Sequence, residues 1–452
     1  MVMSPGAALE LMRDQLIPSW RQEAARLEVI DRWYRWHPEP VEVPNGSTRE
    51  HKRLAQLART PWMRLIVNTV AQALRVDGYR SPDNPDTAPG WQRWVANGLD
   101  GRQAAIYREA IAYGYAFGTA LPGTNDLTGE PQAVLRGVSP RKMLAFYQDP
   151  AEDEWPMYAV RWMGQGMWRL YDDTANYYFG VEGLPGNETL TYISYDVHDT
   201  GVTPVVRFCR ELDLSGRTPG EVEPFIPLAK RINKTTYDRL LIQHFNSWKT
   251  RTIAGMSPAE GANEAAEKLR LRQEDILVAE DPDTKFGTLP ETALDGILKA
   301  YETDVRTFAA ASQTPVHTLT GDLINLSAEA LAAARADLTA KAEDCQQSFG
   351  TSIAQWLRLG AHIDGDQVAA SDMLAKVTWQ DTSVRSMAQA ADALGKLATM
   401  LQVPVEALWS KIPGVTRTDV EEWQTMKAAD PFAQLASVLD AQATPPTPPA
   451  GA

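Results

Sequence analysis

The sequence predicts an α+β fold in which long helices accompany a central, mainly antiparallel β region. Apolar residues recur at helical spacing over residues 7–36, 226–249 and 292–313. Between residues 119 and 225 the period changes, and short apolar runs are separated by Gly, Pro and Asn, as is typical of strands. With 452 residues, of which 44% are hydrophobic, the chain is long enough for about two to four packed units.

The first half of the chain is predicted to contain both helices and strands. Its helices are expected over residues 7–36, 61–75 and 101–117. Pro38, Pro40 and Pro44 end the first helix, Pro61 lies in the first turn of the second, and residues 81–90 form a loop by composition. The runs that predict strands are Gln132–Val138, Met157–Met163, Met167–Asp172 and Leu190–Val197.

The second half is predicted to be mainly helical. A helix over residues 226–249, roughly 36 Å long, precedes a mixed region at 250–291 with strand-like runs at 251–256 and 275–281. A second helix covers 292–313 and is stopped by Pro315.

The C-terminal part of the chain follows a predicted loop over residues 315–326. Ser327 is expected to cap a helix roughly 50 Å long that continues to about Leu359 and ends at Gly360. Cys345 should lie on the apolar face of this helix as a small core residue. Two or three short helices are expected within 384–427.

The composition restricts the class of protein. The net charge of −14, from 58 acidic and 44 basic side chains, disfavours tight, sequence-independent DNA binding. Cys209 and Cys345 are the only cysteines, which argues against a disulfide framework and favours assembly in a reducing cytoplasm. The N-terminal residues lack the pattern of a signal peptide, and no apolar run is long enough to cross a bilayer. A soluble protein is expected.

A search for catalytic and metal-binding motifs predicts that the chain is not an enzyme and holds no cofactor or metal. Leu397 follows Gly395-Lys396, where a phosphate loop needs Ser or Thr. Residues 281–287 are similar to a calcium loop, but Lys285 stands where a ligand is needed. The six histidines are scattered singly, and the carboxylates are too dispersed for a metal-dependent nuclease.

A helix-turn-helix is the one DNA-binding motif that has to be weighed, over residues 388–424. Its second helix would contain Asp419, Glu421 and Glu422, whereas a DNA reader carries Arg or Lys there. A small helical packing unit is the favoured interpretation.

Several short segments follow one another in a characteristic order and spacing between about Ile30 and Trp423. They are Trp62–Val70, Leu74–Tyr79, Trp91–Trp94, Asn97–Asp100, Tyr113–Phe117, Ser139–Arg141, Tyr147–Pro150, Gly201–Val206, Ile226–Thr235 and Leu326–Ala330. Together they resemble the portal proteins of tailed phages, in the SPP1-like family common in phages of actinobacteria. No single segment is very specific, but their order is.

The resemblance implies a portal fold with a defined role for each segment. The α+β wing would be residues 1–225, the two stem helices 226–249 and 292–314, the small mixed clip 250–291, the tunnel loop 315–326, the long helix and its return into the wing 327–383, the helical crown 384–437, and a disordered tail 438–452. The clip here is short and only weakly strand-like, so its boundaries are open.

The family's function implies a structural subunit of a ring at one capsid vertex, through which DNA is packaged and ejected. The ring is expected to hold twelve copies. The expected partners are the large subunit of terminase, a head–tail adaptor, the major capsid and scaffold proteins, and double-stranded DNA that passes through the channel without sequence-specific contacts. Assembly would occur in the host cytoplasm, and no membrane is involved. The alternative is another head–tail connector or adaptor, which the length of the chain disfavours.

Three sets of candidate site residues follow from the family's architecture. Those expected at the DNA channel are His317, Thr318, Thr320, Asp322 and Asn325. Those expected to dock partners at the clip are Asp281, Asp283 and Lys285. The stem helices have opposite charge, with Lys230, Arg231, Lys234 and Arg239 on the first and Asp295, Glu302 and Asp304 on the second. These helices either pack through opposite charges, within or between subunits, or present two separately solvated faces.

Replacing Asp322 and Asn325 together by Lys tests the channel assignment of residues 315–326. That segment contains no Lys or Arg, so it cannot hold phosphates through ion pairs. We expect the double variant to assemble normally but to lower the yield of DNA-filled particles, because the change repeats around the whole channel. A normal yield of full, infectious particles would instead indicate an ordinary surface connection.

Overall fold

A computed structural model of the protein describes residues 2–84, 88–125, 128–183, 189–247, 251–254, 285–288, 292–321, 330, 333–380, 387–409, 411–412, 414–415 and 417–429. The chain divides into two compact units. Unit 1 consists of Met1–Leu27, Asn68–Gly220 and Ser327–Ala452, and unit 2 of Glu28–Val67 and Glu221–Leu326. The fold is α+β, as the sequence predicts.

The described helices are α1 (Pro5–Leu11), α2 (Ile17–Tyr34), α3 (Arg49–Leu57), α4 (Trp62–Ala71), α5 (Ala88–Ala96), α6 (Leu99–Tyr113), α7 (Ile226–Ser247), α8 (Asp295–Ala311), α9 (Val316–Thr320), α10 (Ala336–Ile363), α11 (Gln367–Ser371), α12 (Met387–Met400), α13 (Val405–Trp409) and α14 (Arg417–Ala428). A π-helical segment, Met12–Leu16, joins α1 to α2, and a 3-10 turn, Glu223–Phe225, precedes α7. None of the described helices is both long enough and apolar enough to span a bilayer.

The described strands are β1 (Val76–Arg80), β2 (Tyr115–Thr124), β3 (Pro131–Val138), β4 (Met143–Phe146), β5 (Tyr158–Gly164), β6 (Met167–Tyr171), β7 (Ala175–Glu182), β8 (Thr189–Val197), β9 (Val205–Cys209), β10 (Arg251–Ala254), β11 (Lys285–Thr288) and β12 (Lys376–Trp379). Each described pairing is antiparallel. The antiparallel β region predicted between residues 119 and 225 is therefore confirmed, including all four of its predicted strands.

One helix prediction and one loop prediction in the first half need correction. The helix predicted over 101–117 ends at Tyr113, because Gly114 adopts a φ of +100° and Tyr115 begins β2. A Cβ at Gly114 would overlap the carbonyl oxygen of Thr218, so a side chain cannot be accommodated at this bend. The loop predicted over 81–90 gives way to α5 at Ala88.

Two predictions in the second half also need correction, and one falls outside the described residues. The segment predicted as a loop at 315–326 contains α9, which starts after Pro315 and ends at Gly321, whose φ is +76°. The single helix predicted over residues 327–359 is interrupted at Arg335, so that α10 begins at Ala336, and it continues past Gly360 to Ile363. Gly360 serves close packing instead, since a Cβ there would lie 2.7 Å from Arg93 Cδ. The proposed capping residue, Ser327, is outside the described residues.

Unit 1 contains a two-stranded sheet, β1-β12, and is built on two larger antiparallel sheets. One has the strand order β3-β2-β9 and the other the order β4-β5-β6-β7-β8. Residues of both sheets share a buried cluster made of Tyr115, Phe117, Val138, Met143, Ala159, Tyr171, Val205 and Cys209. The opposite face of the five-stranded sheet is covered by the N-terminal helices, where Trp20 and Trp168 meet edge to face with ring centroids 4.8 Å apart. Each sheet therefore has a buried face.

Helix α10 covers the three-stranded sheet and its edge strand β9. The Trp356 indole donates a hydrogen bond to the Thr119 carbonyl at 3.1 Å and packs edge to face on Phe208. The hydroxyls of Ser348 and Ser352 donate to the carbonyls of Cys209 at 2.5 Å and Arg207 at 2.8 Å. These bonds occupy acceptors on an edge strand that otherwise invite another strand to pair. Cys345 is fully buried in α10, as predicted.

An ion pair at the C-terminal end of α10 joins three elements. Arg93 Nε of α5 lies 2.5 Å from Asp364 Oδ2, and Asp364 Oδ1 accepts the backbone N–H of Ala133 in β3 at 2.6 Å. The side chain of Arg93 is only 7% exposed and that of Asp364 24%. Removing either partner therefore leaves a mostly buried charge without its counterion.

The substitution Arg93→Met tests this ion pair in unit 1. We expect a loss of about 3 kcal/mol in the free energy of unfolding, because Asp364 stays partly buried and unneutralised. The matched control is Arg358→Met, which removes a 3.3 Å ion pair with Glu154, whose side chain is 51% exposed. The control should lose less than about 1 kcal/mol. Thermal and urea denaturation give the comparison, and equal losses in the two variants would contradict it.

Candidate channel segment

Helices α7 and α8 of unit 2 pack against each other as an antiparallel pair. The side chain of Asn246, near the end of α7, donates a hydrogen bond to the Thr292 carbonyl at 3.0 Å. It also accepts one from the Thr292 N–H at 3.3 Å. Arg231, near the start of α7, contacts Asp304 in the second half of α8. The contacts at the two ends of the pair thus fix both its direction and its register.

The buried face of this pair explains why both segments form helices. Ile232 of α7 is buried, as are Val305 and Phe308 of α8, whose three-residue spacing places them on one side of that helix. Phe308 also packs against Trp62 and Phe225, with ring centroids 5.8 Å away in each case. On the other side of α7, Tyr237 joins Ala55 and Ala58 in a cluster with the segment around α3.

One carboxylate links the oppositely charged helices. Asp304 Oδ1 lies 3.0 Å from Arg231 Nε, and Asp304 Oδ2 accepts a hydrogen bond from the Thr235 hydroxyl at 3.4 Å. The Asp304 side chain is 17% exposed, whereas that of Arg231 is 55% exposed. The structure therefore brings Arg231 and Asp304 together within one chain.

The other charged residues singled out on the two helices have different partners. Lys230 Nζ lies 3.9 Å from Glu39 Oε2, and Lys234 pairs with Asp238 one turn later on α7. The guanidinium of Arg239 lies over the ring of Tyr301, 5.7 Å from its centroid. Asp295 lies in the first turn of α8, where the helix dipole favours a carboxylate.

A groove of about 380 Å³ lies where α7, α8 and α9 meet. It is lined by Arg239, Leu298, Tyr301, Glu302, Val305, Arg306, Leu319 and Thr320. Glu302 is exposed here and makes no ion pair with another described residue. The sequence pattern could not reveal this groove, because it depends on α9, which the pattern did not predict.

The residues expected at the channel are only partly within the described chain. His317 and Thr318 are half-buried in α9, and the exposed Thr320 donates its hydroxyl to the Val316 carbonyl at 3.2 Å. The hydroxyl of Thr320 is thus committed to its own helix as a donor. Asp322 and Asn325 lie outside the described residues.

The residues expected at the clip are also described in part. Strands β10 and β11 pair, with Arg251 opposite Thr288 and Ala254 opposite Lys285, so the strand predicted at 251–256 is found over its first four residues. Lys285 is exposed at the start of β11. Asp281, Asp283 and the predicted strand at 275–281 lie outside the described residues. No cluster of three metal-ligating side chains occurs among the residues that can be described.

Comparison with known proteins identifies the class. Residues 13–431 match the family model described as phage portal protein, SPP1 Gp6-like. The match covers most of the chain, and the protein belongs to this family. The family is structural, so the protein is a portal component and not an enzyme.

One solved structure and the curated proteins complete the comparison. A chain from the neck of a native GTA particle, computed with C12 symmetry, is similar at 10% sequence identity and a TM-score of 0.48. The similarity covers 83% of this chain and 95% of that one. No curated protein matches the sequence.

The substitution Asp304→Asn tests the link between α7 and α8. Loss of the carboxylate charge should destabilise the pair by about 1 kcal/mol, because Arg231 loses its ion pair and Asp304 is mostly buried. Glu302→Gln, two residues earlier on α8 and exposed, is the matched control and should change stability by less than about 0.5 kcal/mol. Hydrogen exchange of the α8 amides measures both. Faster exchange in both variants, or in neither, would contradict the assignment.

Proposed function

We propose that the protein is the ring-forming portal subunit at one capsid vertex, and that DNA enters and leaves the capsid through the ring. The family match over residues 13–431 carries this proposal. The ring is proposed to hold twelve copies and to remain in the virion after assembly in the host cytoplasm.

The charge of the chain suits a conduit. A subunit with a net charge of −14 repels phosphate overall, so DNA can slide past it without being held. Charge on α7 and α8 is partly neutralised locally through Arg231–Asp304 and Lys234–Asp238. The two helices are proposed to form the stem, and residues 315–326 the segment nearest DNA.

The proposed partners follow from what the chain lacks. No phosphate-binding loop is present in the sequence, so the energy for packaging has to come from a partner with ATPase activity. We assign that role to the large subunit of terminase. The region around the β10–β11 hairpin, including Lys285, is proposed as the clip that docks terminase during packaging and a head–tail adaptor afterwards. The major capsid and scaffold proteins are the proposed partners around the rest of the ring.

Negative-stain electron microscopy of the purified full-length chain tests the proposal. We expect rings with a central hole, whose mass by native mass spectrometry is a multiple of the 50.0 kDa subunit and close to twelve copies. Monomers and dimers at every concentration, including in the presence of scaffold protein, would count against a portal ring and favour a different connector.

A further inference from the structure

One end of the five-stranded sheet in unit 1 presents a row of two arginines and a tyrosine. Arg161 of β5 lies directly opposite Arg169 of β6, and Arg169 lies opposite Tyr178 of β7. Side chains alternate along a strand, so these three share the face that points away from the N-terminal helices. We call them the arginine row. The neighbouring residues Ala159 and Tyr171 are buried on the same face against the three-stranded sheet.

The charge of the arginine row is not neutralised by the described part of its own subunit. Like charges placed directly opposite on adjacent strands destabilise a sheet. Neither Arg161 nor Arg169 makes an ion pair with a described carboxylate, and the Nε atoms of both are buried without a hydrogen-bond acceptor among the described residues. A ligand that brings carboxylates would remove this repulsion.

The arginine row is also held in place. The Arg169 guanidinium stacks over the rings of Tyr178, at 4.7 Å, and Tyr171, at 5.8 Å. Burial, together with a hydrogen bond to the Asp196 carboxylate of the same chain, raises the pKa of Tyr178, so this hydroxyl stays protonated and its ring is held beside Arg169. A side chain fixed before binding loses little entropy when a partner arrives.

Apolar side chains border the arginine row and favour a protein partner over nucleic acid. Met163 is 43% exposed and Ile193 53% exposed. Gly180 is two residues after Tyr178 on β7 and therefore shares its face of the sheet. A Cβ at Gly180 would lie 3.4 Å from the Cδ1 atom of Ile193, so Ile193 lies on this face too. Arginine, tyrosine and methionine are enriched where proteins meet proteins. A chain with a net charge of −14 also repels a polyanion.

The chain carries a rigid acidic turn of complementary charge. Its carboxylates are Asp149, Glu152, Asp153 and Glu154. The turn is closed by hydrogen bonds from Asp149 N to Asp153 Oδ2 at 2.7 Å and from Asp153 N to Asp149 O at 3.0 Å. Asp149 and Glu152 are exposed and make no ion pair with a described cation.

The Arg207 guanidinium anchors this turn by donating to the Pro150 carbonyl at 2.7 Å. The turn is therefore held in place, with Asp149 and Glu152 exposed on it.

We propose that the arginine row of one subunit receives the acidic turn of a second copy of this chain in the assembled ring. The inference rests on the proposed portal function, because a closed ring joins two different surfaces of each subunit, one on each side. The arginine row and the acidic turn are two such surfaces, of opposite charge and both fixed in advance.

A charge swap on the full-length chain tests the inference. The variants are Arg161→Glu with Arg169→Glu, Asp149→Lys with Glu152→Lys, and the combination of all four. Each reversal alone should lower the fraction of protein in rings at least about tenfold, since like charges then meet at the interface. The combined variant should recover to within about threefold of wild type. Mass photometry measures the fraction, and circular dichroism verifies folding.

The matched control is Arg102→Glu with Lys376→Glu. Both residues are exposed in unit 1, and the control changes the net charge by the same amount as the arginine reversal. It should form rings like wild type. Should the arginine reversal itself misfold, Arg161→Gln with Arg169→Gln removes the charge more gently and should still lower the ring fraction severalfold.

The outcomes separate the two proposals. Absence of rings in wild type contradicts the portal function and this inference with it. Normal rings in the folded arginine variants, or failure of the combined variant to recover, overturns the inference alone. A third outcome also overturns the inference: wild type binds a 30-base-pair DNA duplex, and the arginine reversal abolishes this binding but leaves the rings intact. The arginine row would then bind nucleic acid.

Discussion

The packing of α10 on the three-stranded sheet is the interaction on which the rest of unit 1 depends. Trp356 fills the space above β2, and the serine hydroxyls on the same helix cover the carbonyls of β9. At the far end of the helix, Asp364 ties Arg93 and β3 together. The sheet therefore obtains from one helix both the apolar cover and the polar partners that an edge strand needs. With the sheet fixed, the shared cluster that includes Phe117 and Tyr171 can hold the five-stranded sheet in turn.

Unit 2 combines burial with an ion pair between its two long helices. The α7–α8 pair has a narrow apolar face, and the Arg231–Asp304 contact adds a fixed register. A portal subunit has no reaction to catalyse, so its function depends on surfaces that have the right charge in the right place. Among the described residues, Arg231 and Asp304 neutralise each other inside the subunit. Arg161 and Asp149 make no ion pair with another described side chain, and we propose that they meet opposite charges on a second copy.

The sequence predicted those parts of the fold that depend on local pattern. The helical period over 226–249 and 292–313, and the strand runs between Gln132 and Val197, were found within a few residues of their predicted bounds. It did not predict the end of α6, although Gly114 caps this helix in a left-handed conformation and is a local signal for its end. That the site admits only glycine depends on the Thr218 carbonyl, which is distant in sequence. The opposite charge of α7 and α8 was visible in the sequence. The choice of Asp304, and not Glu302, as the partner of Arg231 depends on helix register, which the sequence pattern does not contain.

The separation in sequence between β9 and its covering helix has a consequence for synthesis. Ser352 lies 145 residues after Arg207, the residue whose carbonyl it covers. At about 5–20 residues per second, a ribosome needs roughly 7 to 30 s to make that interval. Throughout that time the three-stranded sheet has been made but its cover has not, so an uncovered edge is exposed beside other nascent chains on the same message. The native arrangement of unit 1 is thus a late event in translation, and a chaperone that shields strand edges would be most useful to this protein before residue 363 emerges.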